Sequence, residues 1–281
     1  MENLKPWMKR PIVYVAAACF CLFSACPFLV MLINTFKQDQ DLYRPQNNPF
    51  IYNDPPTLDH LRLLFLDTNY VGFLWNSFIV GVLVVIITLL IAVPAAYSLA
   101  RLVGRWGERA GISMFLVYLV PPTLLFIPLF RMVVALGLNN SIWSLVLVYP
   151  TISIPFSTWL LMGFFKSIPR DLEEAAMVDG FSRFMAFIRV IMPLSLSGVI
   201  AVVVFTFTLT LHEFIYALAF VSSSSQRTIS VGVPIELVRG DVFFWQSLLA
   251  AAVIVAIPVG IVYNMFLDRL IEGFTAGAVK G

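Results

Sequence analysis

Long apolar stretches without a charged residue alternate with short polar segments along the chain. Each stretch reaches or exceeds the ~20 residues that a helix needs to cross the hydrocarbon core of a membrane. The pattern therefore predicts six transmembrane helices, at about residues 12–35, 72–99, 111–134, 142–165, 194–220 and 246–268. We see no internal repeat and no separate soluble domain, so residues 1–281 are expected to form one all-α transmembrane domain.

The composition agrees with this pattern and excludes a water-soluble protein. Of the 281 residues, 60% are apolar and only 12% are charged, so folding around one aqueous core would leave large apolar patches exposed. Three cysteines, Cys19, Cys21 and Cys26, lie in the first predicted span. Their spacing gives no metal motif, and we expect them to behave as small apolar residues.

The distribution of positive residues predicts the orientation of the chain. With the N-terminus in the cytoplasm, twelve of the 18 Lys and Arg residues lie in inner segments and six in outer ones. Positive residues near the ends of spans resist translocation, so both termini are expected in the cytoplasm. The outer segment at about 37–70 reads as extended chain leading into a short helix, and the one at 221–246 reads as a sizeable loop.

A compact, partly charged inner segment at 166–193 separates two of the predicted spans. Ser167 and Pro169 suit the start of a short helix, and Gly180 suits its end in a left-handed conformation. Ser182 can cap a second short helix that leads to Pro193. The segment is therefore expected to form two short helices joined by a tight turn under the membrane.

Two interpretations are open for the apolar residues Phe181, Phe184 and Met185 near this turn. They could pack against the spans above. Alternatively, they could anchor a soluble partner, with aromatic residues in the centre of the contact and charges at its rim.

The spacing within this segment resembles the EAA loop of the membrane subunits of bacterial ABC importers. The matching residues are Glu174, Ala175 and Ala176, then Asp179 and Gly180, followed after nine residues by Val190-x-Met192-Pro193. In that family the loop is the coupling helix, which sits in a cleft of the ATP-hydrolysing subunit. The resemblance implies that contact with the ATPase involves Glu174, Ala175, Ala176, Asp179, Gly180, Phe181 and Phe184.

Further resemblances point to the carbohydrate-uptake branch, and to the smaller of the two maltose-permease subunits. They are "NSFIVG" at 76–81, "AAYSLAR" at 95–101 and the terminal "GFTAGAVKG" at 273–281. The resemblance implies a bacterial inner-membrane protein that imports a sugar, oligosaccharide, glycoside or glycerol phosphate. The chain departs from the family pattern Trp-Asn-Glu in the fifth span, where it has Leu211-His212-Glu213.

The same resemblance implies the partners of the chain. They are a second permease subunit, two ATP-binding subunits, a periplasmic or lipid-anchored solute-binding protein and membrane lipid, with no nucleic acid. The sequence contains no phosphate-binding loop, no HExxH helix and no Cys/His cluster. We therefore expect no enzymatic site and no cofactor on this chain, with ATP and Mg²⁺ held by the partner subunits.

Polar residues inside the predicted spans suggest a substrate pathway. In the fifth span, Thr206, Thr210 and Glu213 have the spacing of one helical face, and Thr208, His212 and Tyr216 that of the adjacent face. A carboxylate within a span is costly and is expected to face a cavity or a partner. The candidate pathway residues are Asn76, Tyr149, Ser153, Ser157, Thr210, His212, Glu213 and Tyr216. The alternative is that these groups form hydrogen bonds that fix helix packing.

Two functional classes remain open. The first is the permease half of a heteromeric ABC importer, energised by separate subunits. The second is a stand-alone secondary transporter in which Glu213 and His212 relay protons. Six spans, no visible inverted repeat and a docking segment favour the importer.

Overall fold

A computed structural model describes the backbone of residues 6–278 and the side chains of Pro11 and residues 13–267. The chain divides into two compact units, one of residues 1–69 with 233–258 and one of residues 70–232 with 259–281. The positive residues near both ends that entered the orientation argument, and part of the terminal "GFTAGAVKG", lie outside the described side chains.

The first unit contains three helices before residue 70 and a small hairpin. The helices are α1 (Pro6–Thr35), α2 (Asp39–Tyr43) and α3 (Asp59–Leu66). Strands β1 (Val238–Arg239) and β2 (Val242–Phe243) pair antiparallel across Gly240, which has a φ of 62°. The side chains of α1 from Val13 to Thr35 are largely exposed, as suits a helix surrounded by lipid.

The second unit contains the helices that surround the candidate site. They are α4 (Tyr70–Tyr97), α5 (Arg105–Tyr118), α6 (Pro122–Ala135), α7 (Ile142–Val148), α8 (Pro150–Ser167), α9 (Arg170–Val178), α10 (Arg183–Ala186), α11 (Met192–Leu194), α12 (Leu196–His212) and α13 (Ile215–Phe220). Two further helices, α14 (Ile229–Leu237) and α15 (Trp245–Ala278), have residues in both units. The predicted outer loop at 221–246 therefore contains a helix and a hairpin that the sequence analysis missed.

Four helical segments of the described chain are long and apolar enough to cross a membrane, or up to six if each of two bent pairs is one span. The four are Val13–Thr35, Tyr70–Leu102, Ile142–Ser167 and Trp245–Leu267. The chain is thus helical as predicted, but two of the predicted spans are not continuous helices.

The predicted span at 111–134 is broken at two consecutive prolines. α5 and α6 meet at 88° where Pro121 and Pro122 follow Val120. Proline has no N–H to donate and restricts the residue before it, so the pair ends α5 and starts a new helix. The sequence pattern placed one span across this position, and the structure has a bent pair of helices there.

The predicted span at 194–220 is also broken, at Glu213. α12 ends at His212, Glu213 has an extended backbone (φ −66°, ψ 123°), and α13 begins at Ile215. Glu213 and Tyr216 therefore do not continue the helical faces on which the sequence analysis placed them. A second bend of 72° separates the helical stretch Arg183–Leu194 from α12.

The outer segment at 37–70 is more ordered than the predicted extended chain. Its predicted short helix is present as α3, but the residues before it fold around the buried carboxylate of Asp41. Asp41 accepts hydrogen bonds from Asn47 Nδ2 (2.9 Å), Asn53 Nδ2 (2.7 Å) and Asn53 N (3.0 Å). Lys37 Nζ lies 3.7 Å from Asp41 Oδ2 and donates to the Asn48 carbonyl.

Candidate functional site

Local rules explain the shape of the inner segment at 166–193. α9 ends at Val178, and Gly180 follows with a φ of 93°, which confirms the predicted left-handed turn. Ser182 Oγ accepts from Met185 N at 3.3 Å, which confirms it as the cap of the second helix. Ser167 does not cap the first helix, because its hydroxyl donates to the Phe164 carbonyl in α8. The segment is thus a short helix, a glycine turn and a second short helix.

The tip of this segment is exposed. Val178 and Phe184 are 87% and 71% exposed, and Glu174, Ala175, Asp179 and Gly180 are exposed as well. Phe181 is half-buried, with the Arg189 guanidinium 5.4 Å from its ring centroid. Ala176 is buried and lies on the buried face of α9. Phe181 therefore fits the interpretation that these apolar residues pack against the rest of the chain. The exposed Phe184 fits the interpretation that they anchor a soluble partner.

The sequence analysis missed a buried carboxylate in the same helix. Glu173 accepts a hydrogen bond from the Tyr97 hydroxyl (2.5 Å), and its other oxygen lies 3.8 Å from Arg101 Nε. Arg101 Nη2 also donates to the Ile168 carbonyl at 2.6 Å. The signal that could have found this site was the "AAYSLAR" stretch, which supplies both Tyr97 and Arg101.

Three predicted pathway residues meet at the break between α12 and α13. The Tyr149 hydroxyl donates to Glu213 Oε2 at 2.9 Å. Glu213 Oε1 accepts from Tyr216 N (2.9 Å) and Glu213 Oε2 from Ala217 N (3.1 Å). The Tyr216 hydroxyl donates to the Pro122 carbonyl, and Ser230 Oγ to the Glu213 carbonyl. The carboxylate of Glu213 therefore caps the start of α13, which explains why the chain does not continue as one helix from α12 into α13.

The other predicted pathway residues are not assembled with Glu213. Ser153 is buried and shares a hydrogen bond with Thr88 (2.7 Å), and Asn76 Nδ2 donates to the carbonyls of Ser225 and Arg227. Thr210 donates to the Phe207 carbonyl. Ser157 is buried, and its hydroxyl has no hydrogen-bond partner within the described chain.

His212 differs from its neighbours because it is exposed. Its Nδ1 lies 2.9 Å from the Thr208 carbonyl, which leaves Nε2 to face outward from the end of α12. Among the described residues, no group of three or more His, Cys, Asp or Glu side chains could hold a metal ion.

Comparisons with known proteins agree with the family that the sequence resembles. Residues 89–275 match the family model of the "binding-protein-dependent transport system inner membrane component". The chain is 37% identical over 273 residues to the sulfoquinovosyl glycerol transport system permease protein SmoH of Agrobacterium fabrum, covering 97% of this chain and 94% of that protein. It is 30% identical over 276 residues to the trehalose/maltose transport system permease protein MalG of Thermococcus litoralis, covering 98% of each.

A solved structure shares the fold. A chain of a bacterial ABC transporter involved in the import of the acidic polysaccharide alginate superposes with a TM-score of 0.77 at 18% identity, covering 95% of this chain and 99% of that one. At that identity the likeness concerns the fold alone. Together with the match over residues 89–275, the sequence similarities show that the chain belongs to the family of binding-protein-dependent transport system inner membrane components, the permeases of ABC importers.

Proposed function

We propose that the chain is one of two permease subunits that form the translocation pathway of a carbohydrate importer in the bacterial inner membrane. The names of its relatives include transport systems for sulfoquinovosyl glycerol and for trehalose and maltose, which support a sugar or glycoside as solute. Two ATP-binding subunits would hold ATP and Mg²⁺ and supply the energy. A solute-binding protein would deliver the substrate from outside. Six spans, with the two bent pairs each counted as one, would put both termini on the same side, and the distribution of positive residues favours the cytoplasm.

The exposed tip of the inner segment is the observation that carries this proposal. Phe184 and Val178 project from two short helices fixed by a glycine turn, with Glu174 exposed on the flank of α9. Apolar anchors with a charged rim are the surface that a soluble partner binds. Two ATPase subunits that close on ATP would draw such segments together and rock the permeases between inward-facing and outward-facing states. A stand-alone proton-coupled transporter would have no use for this surface, and family membership also favours the importer.

The proposed substrate pathway passes the break between α12 and α13. His212 is exposed there, and Glu213 is half-buried with Tyr149 and Tyr216 against it. Ser153, Ser157, Thr210 and Asn76 are buried in the isolated chain and would support this wall rather than line it.

The coupling role can be tested with two changes at the inner segment. Gly180→Val places a β-branched residue at a φ of 93°, and Glu174→Lys reverses an exposed charge. In the purified complex in nanodiscs, both variants are expected to lose uptake and the ATP hydrolysis that liganded binding protein stimulates. Gly163→Val is the matched control, because Gly163 also has open space around it but has no positive φ. Full stimulated hydrolysis in Gly180→Val and Glu174→Lys would contradict the coupling role.

The pathway can be tested at its exposed histidine. His212→Ala removes an exposed polar side chain whose contact within its own helix is with the Thr208 carbonyl, so it is expected to change the uptake KM several-fold while the complex still assembles. Glu213→Gln keeps an oxygen acceptor at the break and is expected to change uptake as well. Unchanged transport kinetics in both variants would return these residues to a purely structural role.

A further inference from the structure

Glu173 stands out because it is the buried carboxylate of a helix whose neighbouring residues face outward. Its side chain is 8% exposed, whereas Glu174, Ala175 and Asp171 are exposed. Burial of a charged group is costly unless the group is paired and hydrogen-bonded. Tyr97 and Arg101 supply both contacts, and these three side chains are called the Glu173 cluster below.

The Glu173 cluster joins the inner segment at 166–193 to helix α4. Tyr97 is the last residue of α4, and Arg101 lies in the π-helical turn Ser98–Leu102 that continues it. Glu173 lies in the middle of α9. Arg101 also holds the Ile168 carbonyl, which precedes α9, so one arginine contacts both the start and the middle of the helix region.

The ring of Tyr97 extends the same connection to the second half of the inner segment. Its centroid lies 4.4 Å from that of Phe187 and 6.1 Å from that of Phe165, the latter edge-on. Phe187 begins a second π-helical turn, Phe187–Ile191, and Phe165 belongs to α8. Single π turns within α-helices occur frequently at functional sites. Both π turns of the described chain therefore lie at this one tyrosine.

General stability does not account for this arrangement. A buried ion pair contributes little net stability compared with apolar residues of the same volume, and its best-attested use is to fix one geometry. A helix of nine residues such as α9 is also too short to be stable alone, so its position depends on the contacts that hold it. The Glu173 cluster supplies polar contacts of defined direction at that place.

We propose that Tyr97, Arg101 and Glu173 act as positioning residues that make α9 and the inner end of α4 move as one body when the ATPase subunits close. This inference rests on the proposed function and deepens it, because it names the contacts by which a displacement of the inner segment reaches α4. The residues bind neither substrate nor nucleotide. They act through the direction of their mutual contacts.

The movement can be measured without reference to activity. Cys19, Cys21 and Cys26 are replaced by alanine, and spin labels are attached at Asp171, exposed in the first turn of α9, and at Leu90, 70% exposed on α4. In the assembled complex, the distance between the two labels is expected to stay single and unchanged between the nucleotide-free and ATP-bound states. Tyr97→Phe removes one hydroxyl and keeps the ring, and Glu173→Gln keeps an acceptor and removes the charge. Each is expected to broaden the ATP-bound distance distribution.

Matched controls separate this effect from a general loss of packing. Tyr118→Phe and Glu108→Gln make the same chemical changes at a half-buried tyrosine and an exposed glutamate of α5. Both controls are expected to keep the narrow distribution. If Tyr97→Phe and Glu173→Gln keep it as well, the proposal is wrong.

A second readout concerns coupling. The ratio of solute imported to ATP hydrolysed is expected to fall roughly tenfold in each variant of the cluster, as for loss of a hydrogen bond to a charged group. In the double variant the ratio should fall no further than in the single variant with the larger loss, because both changes break the same connection. Losses that multiply would mean two independent structural contacts and would overturn the proposal. If the unmodified complex shows no ATP-driven uptake, the proposed function fails; if it transports and the label distances never broaden, only the Glu173 cluster fails.

Discussion

Two glutamates in this chain are each held by a tyrosine hydroxyl, yet their surroundings differ. Glu173 lies inside the helix α9 and has Tyr97 and the cation Arg101 as partners. Glu213 lies between α12 and α13 and has Tyr149 and two backbone N–H groups as partners. Both carboxylates join distant parts of the chain, but the first is paired with a cation, whereas the second caps a helix with its oxygen atoms at the break between α12 and α13.

The difference shows what each site can tolerate. A carboxylate paired with a buried cation depends on the charge of both groups, so removal of either one leaves the other uncompensated. The role of a carboxylate that accepts from backbone N–H groups depends more on its oxygen atoms than on its charge, so an amide can partly replace it. Substitutions that remove the partner, the charge or the oxygen atoms should therefore affect the two sites differently.

The largest effect is expected when the cation at Glu173 is removed. Arg101→Met leaves a buried carboxylate without its positive partner, which costs about 3–5 kcal/mol in comparable buried pairs. The measurement is the temperature at which the purified complex loses its assembled state in detergent. Arg105→Met, at an exposed arginine, is the control. Adding Glu173→Leu to Arg101→Met should restore part of the loss, and equal behaviour of Arg101→Met and Arg105→Met would contradict the pairing.

An intermediate effect is expected at the break between α12 and α13. Glu213→Ala leaves the N–H groups of Tyr216 and Ala217 and the Tyr149 hydroxyl without their acceptor, at a cost of about 1–3 kcal/mol. Hydrogen exchange of the peptide that contains residues 214–218 should become faster by roughly tenfold or more, as that cost implies. Glu213→Gln should show a smaller increase, because its amide oxygen can still accept. If Gln and Ala give the same exchange, the cap is not formed by the side-chain oxygens.

The comparison also shows which features could be predicted from the sequence. The turn at Gly180 and the cap at Ser182 were predictable, because both depend on residues within a few positions along the chain. The partners of the two glutamates were not, because Tyr97 is 76 residues from Glu173 and Tyr149 is 64 residues from Glu213. Burial of Glu173 beside exposed Glu174 depends on those distant partners, so two adjacent glutamates in the sequence gave no sign of their different roles.

The break at Glu213 was missed for a related reason. Apolar residues lie on both sides of Glu213 within 194–220, and a single carboxylate in such a stretch does not by itself mark the end of a helix. The helix ends there because the carboxylate accepts from N–H groups that follow it while Tyr149 holds it from α7 and α8. The break between α5 and α6, by contrast, is marked in the sequence by Pro121 and Pro122.

A third carboxylate, Asp41 in the outer segment, combines both kinds of partner and gives the smallest expected effect. Burial acts to raise its pKa, but hydrogen bonds from Asn53 and Asn47 and the charge of Lys37 outweigh burial and lower the pKa from 3.8 to about 2. A carboxylate whose pKa is lowered in the folded state stabilises that state fully above its unfolded pKa, and the contribution is lost as pH falls through the folded pKa. Protection of residues 38–57 against hydrogen exchange, corrected for the intrinsic rate, should therefore be constant from pH 7 to about 4 and should decrease between about 4 and 2. Asp41→Asn should lower the protection at pH 7 and remove this decrease, whereas Asp67→Asn, at an exposed aspartate of the same outer segment, should leave both unchanged. If the decrease persists in Asp41→Asn, another carboxylate controls the outer segment.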